Sequence, residues 1–383
     1  MTSRVLETIR TLDKKQYLPS EKDLECEEVG ELSNILKEDS DVKTLTNILA
    51  WQERNIRFWD DRWYMYLIFF LIGIVSIFVL PAVELYIKII LTLPLVLSFV
   101  LGNVYIYLLP QIPLLGSLLI TLWFLYWKYP RIGMRLVSFQ YLLGLAIVLG
   151  GIISLLGYLV IKYRTIKRYV PEFKLVDTFE ASLPVKKILQ YRLAVCRDYA
   201  KLTAALLFSI YPEKEVYFIE ISSHVATGVK IEDRIYVLDQ KLPVTTLERW
   251  MSYWKSRLNK KSLDVTILKA IYQEGGIEIS YEDKREVKNF SVPIVDVNSL
   301  TKRLLAELDI TEVTASNKIG KPKPLPPLKD MALKYEHDEI VEYSMVQSFK
   351  NKILDEFCGN IKRITNVEVQ QDGKDIILIV YYS

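Results

Sequence analysis

Three cysteines and two histidines serve a chain of 383 residues. So few thiols provide no disulfide framework and fit a reducing compartment. Cys26 and Cys358 stand alone, and His337 has no second ligand at metal-binding spacing, so neither a structural zinc nor any cofactor is expected. Neither sign of charge dominates: 49 Lys and Arg against 46 Asp and Glu leave a net +3. The basic residues are interspersed with acids, which argues against a nucleic-acid groove. No phosphate-cradling glycine motif is present, since GLAIVLGG (144–151) lies in an apolar run without the required lysine and strand. The N-terminal stretch MTSRVLETIRTLDKK has no apolar core, so no cleavable signal peptide is expected.

The scarce residues converge instead on one region. Cys196 opens the apolar helical stretch CRDYAKLTAALLFSI, His224 begins the strand-like HVATGVKI, and Asp239 ends YVLDQ. The thiolate is the reactive form of Cys, and a helix N-terminus with a nearby imidazolium favours it. His224 would take the thiol proton and return it to a leaving group. Asp239 would accept a hydrogen bond from the other ring nitrogen and fix the tautomer. If Glu232-Asp233 is a two-residue hairpin loop, Ile231 pairs with Arg234 and His224 falls opposite Lys241. Asp239 is then its diagonal neighbour on the same face. A three-residue loop would break that register. Taken singly, a buried Cys and a strand His are ordinary structural residues; order and spacing together raise the catalytic reading above that.

These segments carry a family resemblance. PVKKILQYRLAVCRDYAKLTAALL resembles the Cys-bearing core of the transglutaminase-like superfamily, a papain-related group with Cys, His and Asp in that order. HVATGVKIEDRIYVLDQKLPV resembles the His and Asp strands of archaeal members. The resemblance covers about residues 184 to 250 and implies Cys196 as nucleophile, His224 as base and Asp239 as orienting acid. It also implies Gln190 as a candidate oxyanion donor; a polar residue on a surface helix is the plainer reading of that Gln. Ala194-Val195 departs from the pattern, in which a Gly is usual.

Charge is absent from residues 63–83, 89–127 and 136–161. A spanning helix needs about 20 apolar residues, so these runs give four spans, the middle run divided near Gly102-Asn103. Trp59, Trp63, Tyr64, Trp123, Tyr126, Trp127 and Tyr129 stand where interfacial aromatics belong. Nine Lys and Arg flank the spans at 43–62 and 162–177, against Lys88, Lys128, Arg131 and Arg135 on the other side, which favours cytoplasmic termini.

The expected organisation is therefore an N-terminal helical segment (1–62), four transmembrane helices (63–162), a catalytic core (163–260) and a C-terminal α+β extension (261–383). LTNILAWQERNIRFWDD (45–61) resembles the helix that precedes the Cys segment in this family, which would make the spans an insertion in the catalytic domain; an amphipathic linker against the headgroups is the other reading. The core is expected to hold a helix from Cys196 to Pro212, a strand at 215–221 and a helix over 245–258. Beyond it, strands are expected at VTILKAIYQ, GIEISYE and NFSVPIVDV. A helix follows at 297–310, then a Pro-rich extended linker at 317–328, a helix near 337–357 and a hairpin turning at Asp372-Gly373.

The fold class expected is an α+β transglutaminase-like (papain-like) domain combined with an all-α four-helix transmembrane region. The expected function is a cell-membrane cysteine enzyme, with its soluble domain cytoplasmic, acting on protein or peptide amides by hydrolysis or transfer to an amine. The expected partners are that substrate and the lipid bilayer. A catalytically inactive binding module on the same fold is the competing class. The oligomeric state is not set by the sequence.

Overall fold

The computed structural model describes residues 17–58, 163–164, 166–179, 182–222, 224–273, 276–310, 320–357 and 364–382. The chain divides into two units, Met1–Phe58 with Ser182–Ser383, and Trp59–Ala181. In the second unit, the Val170 N–H reaches the Ile166 carbonyl in a helical turn, and Leu175–Phe179 form a 3-10 helix.

The first unit begins with three helices, α1 (Glu21–Leu24), α2 (Glu27–Leu36) and α3 (Asp41–Asn55), followed by β1 (Arg57–Phe58). Ser20 and Ser40 cap α1 and α3 by accepting backbone N–H groups from Asp23 and Lys43. After the second unit the chain resumes with α4 (Val185–Tyr191), β2 (Leu193–Ala194) and α5 (Cys196–Ile210). Nearly every α5 residue from Asp198 onward is buried. A helix rich in Ala and Leu on every side belongs in a core, and α5 is the axis of this one.

Four strands follow: β3 (Val216–Ile221), β4 (His224–Ile231), β5 (Arg234–Leu238) and β6 (Thr245–Thr246). Helix α6 (Leu247–Leu258) precedes β7 (Leu263–Gln273) and β8 (Gly276–Val287). All six strands make one antiparallel sheet in the order β6-β5-β4-β3-β7-β8, so the sheet continues past residue 260. Its two faces are read directly from the strand alternation. Val216, Phe218, Val225 and Val229 join the cluster around α5, whereas Tyr217, Ile219, Ile221 and Ala226 pack with Leu247, Trp250 and Met251 of α6. The sheet is thus apolar on both sides, between α5 and α6.

Gly228 sits where β4 has no room for a side chain. A Cβ there would meet Ile235 Cγ2 at 3.0 Å, Ile219 Cδ1 at 3.1 Å and the Tyr236 carbonyl oxygen at 3.1 Å. The Tyr236 carbonyl is ladder backbone and cannot rotate away. Gly228→Val is expected to cost about 1–3 kcal/mol by overpacking, read as a lower melting temperature. An unchanged melt would show that the strands separate more easily than this register implies.

The N-terminal segment is integral to the same core. The Gln52 amide donates to Thr203 Oγ1 at 2.8 Å, Tyr199 Oη donates to the Ile56 carbonyl at 2.8 Å, and β1 pairs in parallel with β2. Buried Asp23 accepts the Val185 N–H at 2.7 Å, tying α1 to the start of α4. Helix α3 is therefore a core helix and not a linker lying against headgroups.

The remaining elements are α7 (Val297–Glu307), β9 (Lys321–Pro324), α8 (Glu339–Glu356), β10 (Ile364–Asp372) and β11 (Asp375–Tyr382). The last three strands form a sheet in the order β10-β11-β9. Three expectations change here. Residues 289–296 form no strand; the Gln371 side chain takes the Val295 N–H and the Pro293 carbonyl in place of a neighbouring strand. Part of the Pro-rich stretch is strand β9, because alternate backbone groups still reach β11 at an edge position where proline is tolerated. The terminal hairpin turns one residue later than expected, with Asp372 paired to Asp375 and Gly373 at φ 58.

The membrane expectation is corrected. No helix among the described residues is long and apolar enough to cross a membrane. The longest, α8, has 18 residues and carries charges along its length, EIVEYSMVQSFKNKILDE. The four-helix transmembrane region placed at 63–162 falls outside the described residues and has no support in the fold. With it goes the integral-membrane localisation, and the topology argument built on flanking charge loses its basis.

Candidate active site

Cys196 is the first residue of α5, with extended Val195 as its N-cap. The departure at Ala194-Val195 is accommodated without glycine: Ala194 is buried in β2, and the Val195 N–H donates to Asp198 Oδ2 at 3.1 Å. Asp198 Oδ1 also accepts from Ser182 Oγ at 2.7 Å and the Leu183 N–H at 3.1 Å. The Asp of CRDYA therefore ties the helix start to the segment before α4 and holds the Cys in place. Burial pushes its carboxyl up against those bonds.

The hairpin register is as the two-residue loop requires. Ile231 pairs with Arg234 and Thr227 with Leu238, and Glu232 takes the left-handed conformation at φ 53. His224 and Asp239 consequently meet, with His224 Nε2 2.7 Å from Asp239 Oδ1. Nδ1 is then the nitrogen left for the thiol of Cys196, whose electrostatic neighbour is His224. Thr227 Oγ1 donates to the Ala200 carbonyl at 2.8 Å, locking the His strand onto the Cys helix. The structure brings Cys196, His224 and Asp239 together.

Their electrostatics follow from that contact. Burial pushes the Cys196 thiol up. The His224 bond and charge, the Arg197 charge and the Val225 N–H more than offset this, leaving it below the usual thiol range. Burial also disfavours an imidazolium, but the Asp239 charge and hydrogen bond, then the contact with Cys196, raise His224 to about 9. Burial would raise the Asp239 carboxyl as well; the His224 charge and bond and two indole N–H groups bring it below the ordinary carboxylate range. A thiol below its range beside an imidazole above its own is the signature of a thiolate–imidazolium pair. Cys196 itself is half-buried, open enough to be reached.

Two further residues belong to the site and were not singled out from the sequence. Trp250 Nε1 donates to Asp239 Oδ2 at 2.8 Å, and Trp254 Nε1 donates to the same oxygen at 3.0 Å. Their i, i+4 spacing on α6 was the available signal. Gln190 is exposed near the end of α4, and the bonds that join the other three do not extend to it. His337 lies elsewhere, its Nδ1 2.8 Å from Glu342 Oε1. Among the described residues, no group of three or more His, Cys, Asp or Glu side chains is placed to hold a metal ion.

A mixed α+β unit with a buried His–Asp pair against a Cys at a helix start has the architecture of the cysteine-type acyl-transfer folds. The transglutaminase-like domain family matches residues 27–268, and the chain belongs to that family. The segments around Cys196, His224 and Asp239 all lie within the match. Among related proteins, the UPF0252 protein MJECL39 of Methanocaldococcus jannaschii is 25% identical over 372 residues, 94% of either chain. The UPF0252 protein PH0672 of Pyrococcus horikoshii is 23% identical over 206 residues, 49% of this chain and 67% of that one. No solved structure matches.

Proposed function

We propose that the protein is a cysteine-dependent enzyme that transfers acyl groups from protein or peptide amides, with Cys196, His224 and Asp239 as its catalytic triad. The observation that supports this most is the 2.7 Å contact of His224 Nε2 with Asp239 Oδ1, which leaves Nδ1 for the Cys196 thiol beside it. The Cys196 thiolate attacks the amide carbon, and His224 Nδ1 gives its proton to the departing amine as the C–N bond breaks. A thioester on Cys196 remains. Water then attacks it while His224 takes the water proton, releasing a carboxylic acid and restoring the thiolate; an amine in place of water gives transamidation. The Cys196 backbone N–H, in the first turn where helix N–H groups lack intrahelical partners, is a donor available to the oxyanion.

The test is alkylation of the intact protein with a limiting electrophile across pH, read by mass spectrometry at each cysteine. Cys196, lowered by its surroundings, is expected to react faster than Cys26 at neutral pH. Cys26 is expected to lag until above pH 9, because burial and its bond to Glu28 push that thiol up. Equal, slow labelling of both would overturn the reading and leave a binding module on an enzyme's fold.

A further inference from the structure

Helix α6 is more than a wall behind the sheet. Trp250 and Trp254, one turn apart, aim both indole N–H groups at Asp239 Oδ2, while Oδ1 faces His224. Trp254 also lies against the imidazole, with ring centroids 4.3 Å apart and planes 32° from parallel; Trp250 is 6.2 Å away at 22°. Trp250 is buried and Trp254 half-buried, so the outer ring stands between the His–Asp pair and solvent. The Arg257 guanidinium lies 5.4 Å from the Trp254 ring and donates to Tyr253 Oη, which keeps the outer indole in place.

We propose that Trp250 and Trp254 are positioning residues that fix Asp239 as an ionised, oriented acceptor for His224, and that Trp254 screens this pair from water. This rests on the reading of Cys196 as nucleophile. A carboxylate has room for several donors, and hydrogen bonds to its charged form favour that form. With both donors on Oδ2, the side chain has one rotation left that suits them, and it presents Oδ1 to His224. Two indoles supply these bonds without adding charge, and their rings exclude water, which strengthens the His–Asp attraction. Other groups that face the trio are Arg197 beside Cys196, Tyr253 on α6, and Lys334 in the 3-10 turn of residues 331–334, whose Nζ sits 4.4 Å from the Tyr253 ring. None of them donates to Asp239 Oδ2 as the indoles do.

The experiment compares Cys196 alkylation across pH in the wild-type chain, Trp254→Phe and Trp250→Phe. Phenylalanine keeps an aromatic ring beside His224 and removes the donor, with a smaller ring in place of the indole. Loss of one donor to a charged acceptor is expected to slow labelling about tenfold near pH 6, with rates converging on wild type above pH 9. The acid limb moves to higher pH because Asp239, less firmly oriented, supports the imidazolium less, and the thiol then gives up its proton less readily. Superposable profiles, or an equal slowing at every pH, would overturn the proposal, since a merely structural role gives the latter. Trp254 is half-buried, so its variant carries the test if Trp250→Phe fails to fold. A wild-type Cys196 that is itself unreactive would defeat the enzymatic reading instead, which is a distinct result.

Discussion

Replacing His224 with Ala is expected to abolish the selective reactivity of Cys196 and reduce turnover by at least about 10⁴-fold. The larger part of the effect is electrostatic. In the native site burial disfavours the thiolate, and only the His224 bond and charge, helped by Arg197 and the Val225 N–H, reverse that bias. With the imidazole gone, burial acts nearly unopposed. An ordinary thiol is only a few per cent ionised near pH 7, so labelling of Cys196 there should fall to the level of Cys26 or below. Turnover should fall further than labelling. The departing amine also loses the imidazolium that protonates it, whereas an alkylating reagent carries its own leaving group. That difference separates the two roles of His224. Measured by mass spectrometry for labelling and by amide cleavage for turnover, equal losses would mean that His224 only sets the thiol's ionisation. Labelling unchanged from wild type would mean that the imidazole does not act on the thiol at all.

How far the site could be read from the chain depends on the distance over which each rule acts. The pairing of His224 with Asp239 was legible because a two-residue loop fixes register. Once Ile231 faces Arg234, counting carries the register to Thr227 and Leu238, and His224 and Asp239 lie just beyond that paired stretch on adjacent strands. Helix α5 was legible because an uninterrupted Ala/Leu-rich stretch has no other stable fate than the core. Trp250 and Trp254 fall within the helix expected over 245–258, and helical periodicity reports only their apolar half. Their indole N–H groups have a partner on another element, and no local pattern reports it. The same holds for Gln371, whose side chain satisfies residues 293 and 295 across the fold and leaves an alternating segment unpaired. Strand β9 was missed for the opposite reason. The two prolines of KPKP suggest a linker, yet at a sheet edge only alternate N–H groups are needed. The family resemblance drew on CRDYA and YVLDQ, the segments with the strictest chemical demands. The spanning helices drew on hydropathy alone, a coarser signal that does not distinguish one apolar environment from another.

Replacing Asp239 is expected to produce the second large effect, and its form depends on the substitute. Asp239→Asn keeps the size and can still accept an indole N–H through its oxygen, but it then turns an amide N–H toward His224 Nε2. That reverses the tautomer: Nδ1 carries the proton toward the thiol and cannot receive another, and turnover should fall about 10⁴-fold in a folded protein. Asp239→Ala removes the acceptor for two indole N–H groups and for His224 at once. Leaving such donors buried costs about 1–3 kcal/mol each where water cannot reach them, so this variant should also melt earlier. The pH dependence gives a further check on the cause. His224 is raised from 6.5 to about 9 on folding, so its contribution to stability is complete below pH 6.5 and disappears as pH rises through about 9. Asp239 is depressed, so its contribution is present above about pH 3.8 and is lost as pH falls through the folded value. The stability gap between wild type and Asp239→Asn should therefore be widest between about pH 4 and 6.5, on the order of 3 kcal/mol at most, and should narrow toward pH 9. Denaturant unfolding at pH 5.5, 7.5 and 9.5 would show it. A gap that stays constant over that range would mean that the His224–Asp239 contact, though short, is not an ion pair, and the thiolate at Cys196 would then have to be held by Arg197, the Val225 N–H and the helix start.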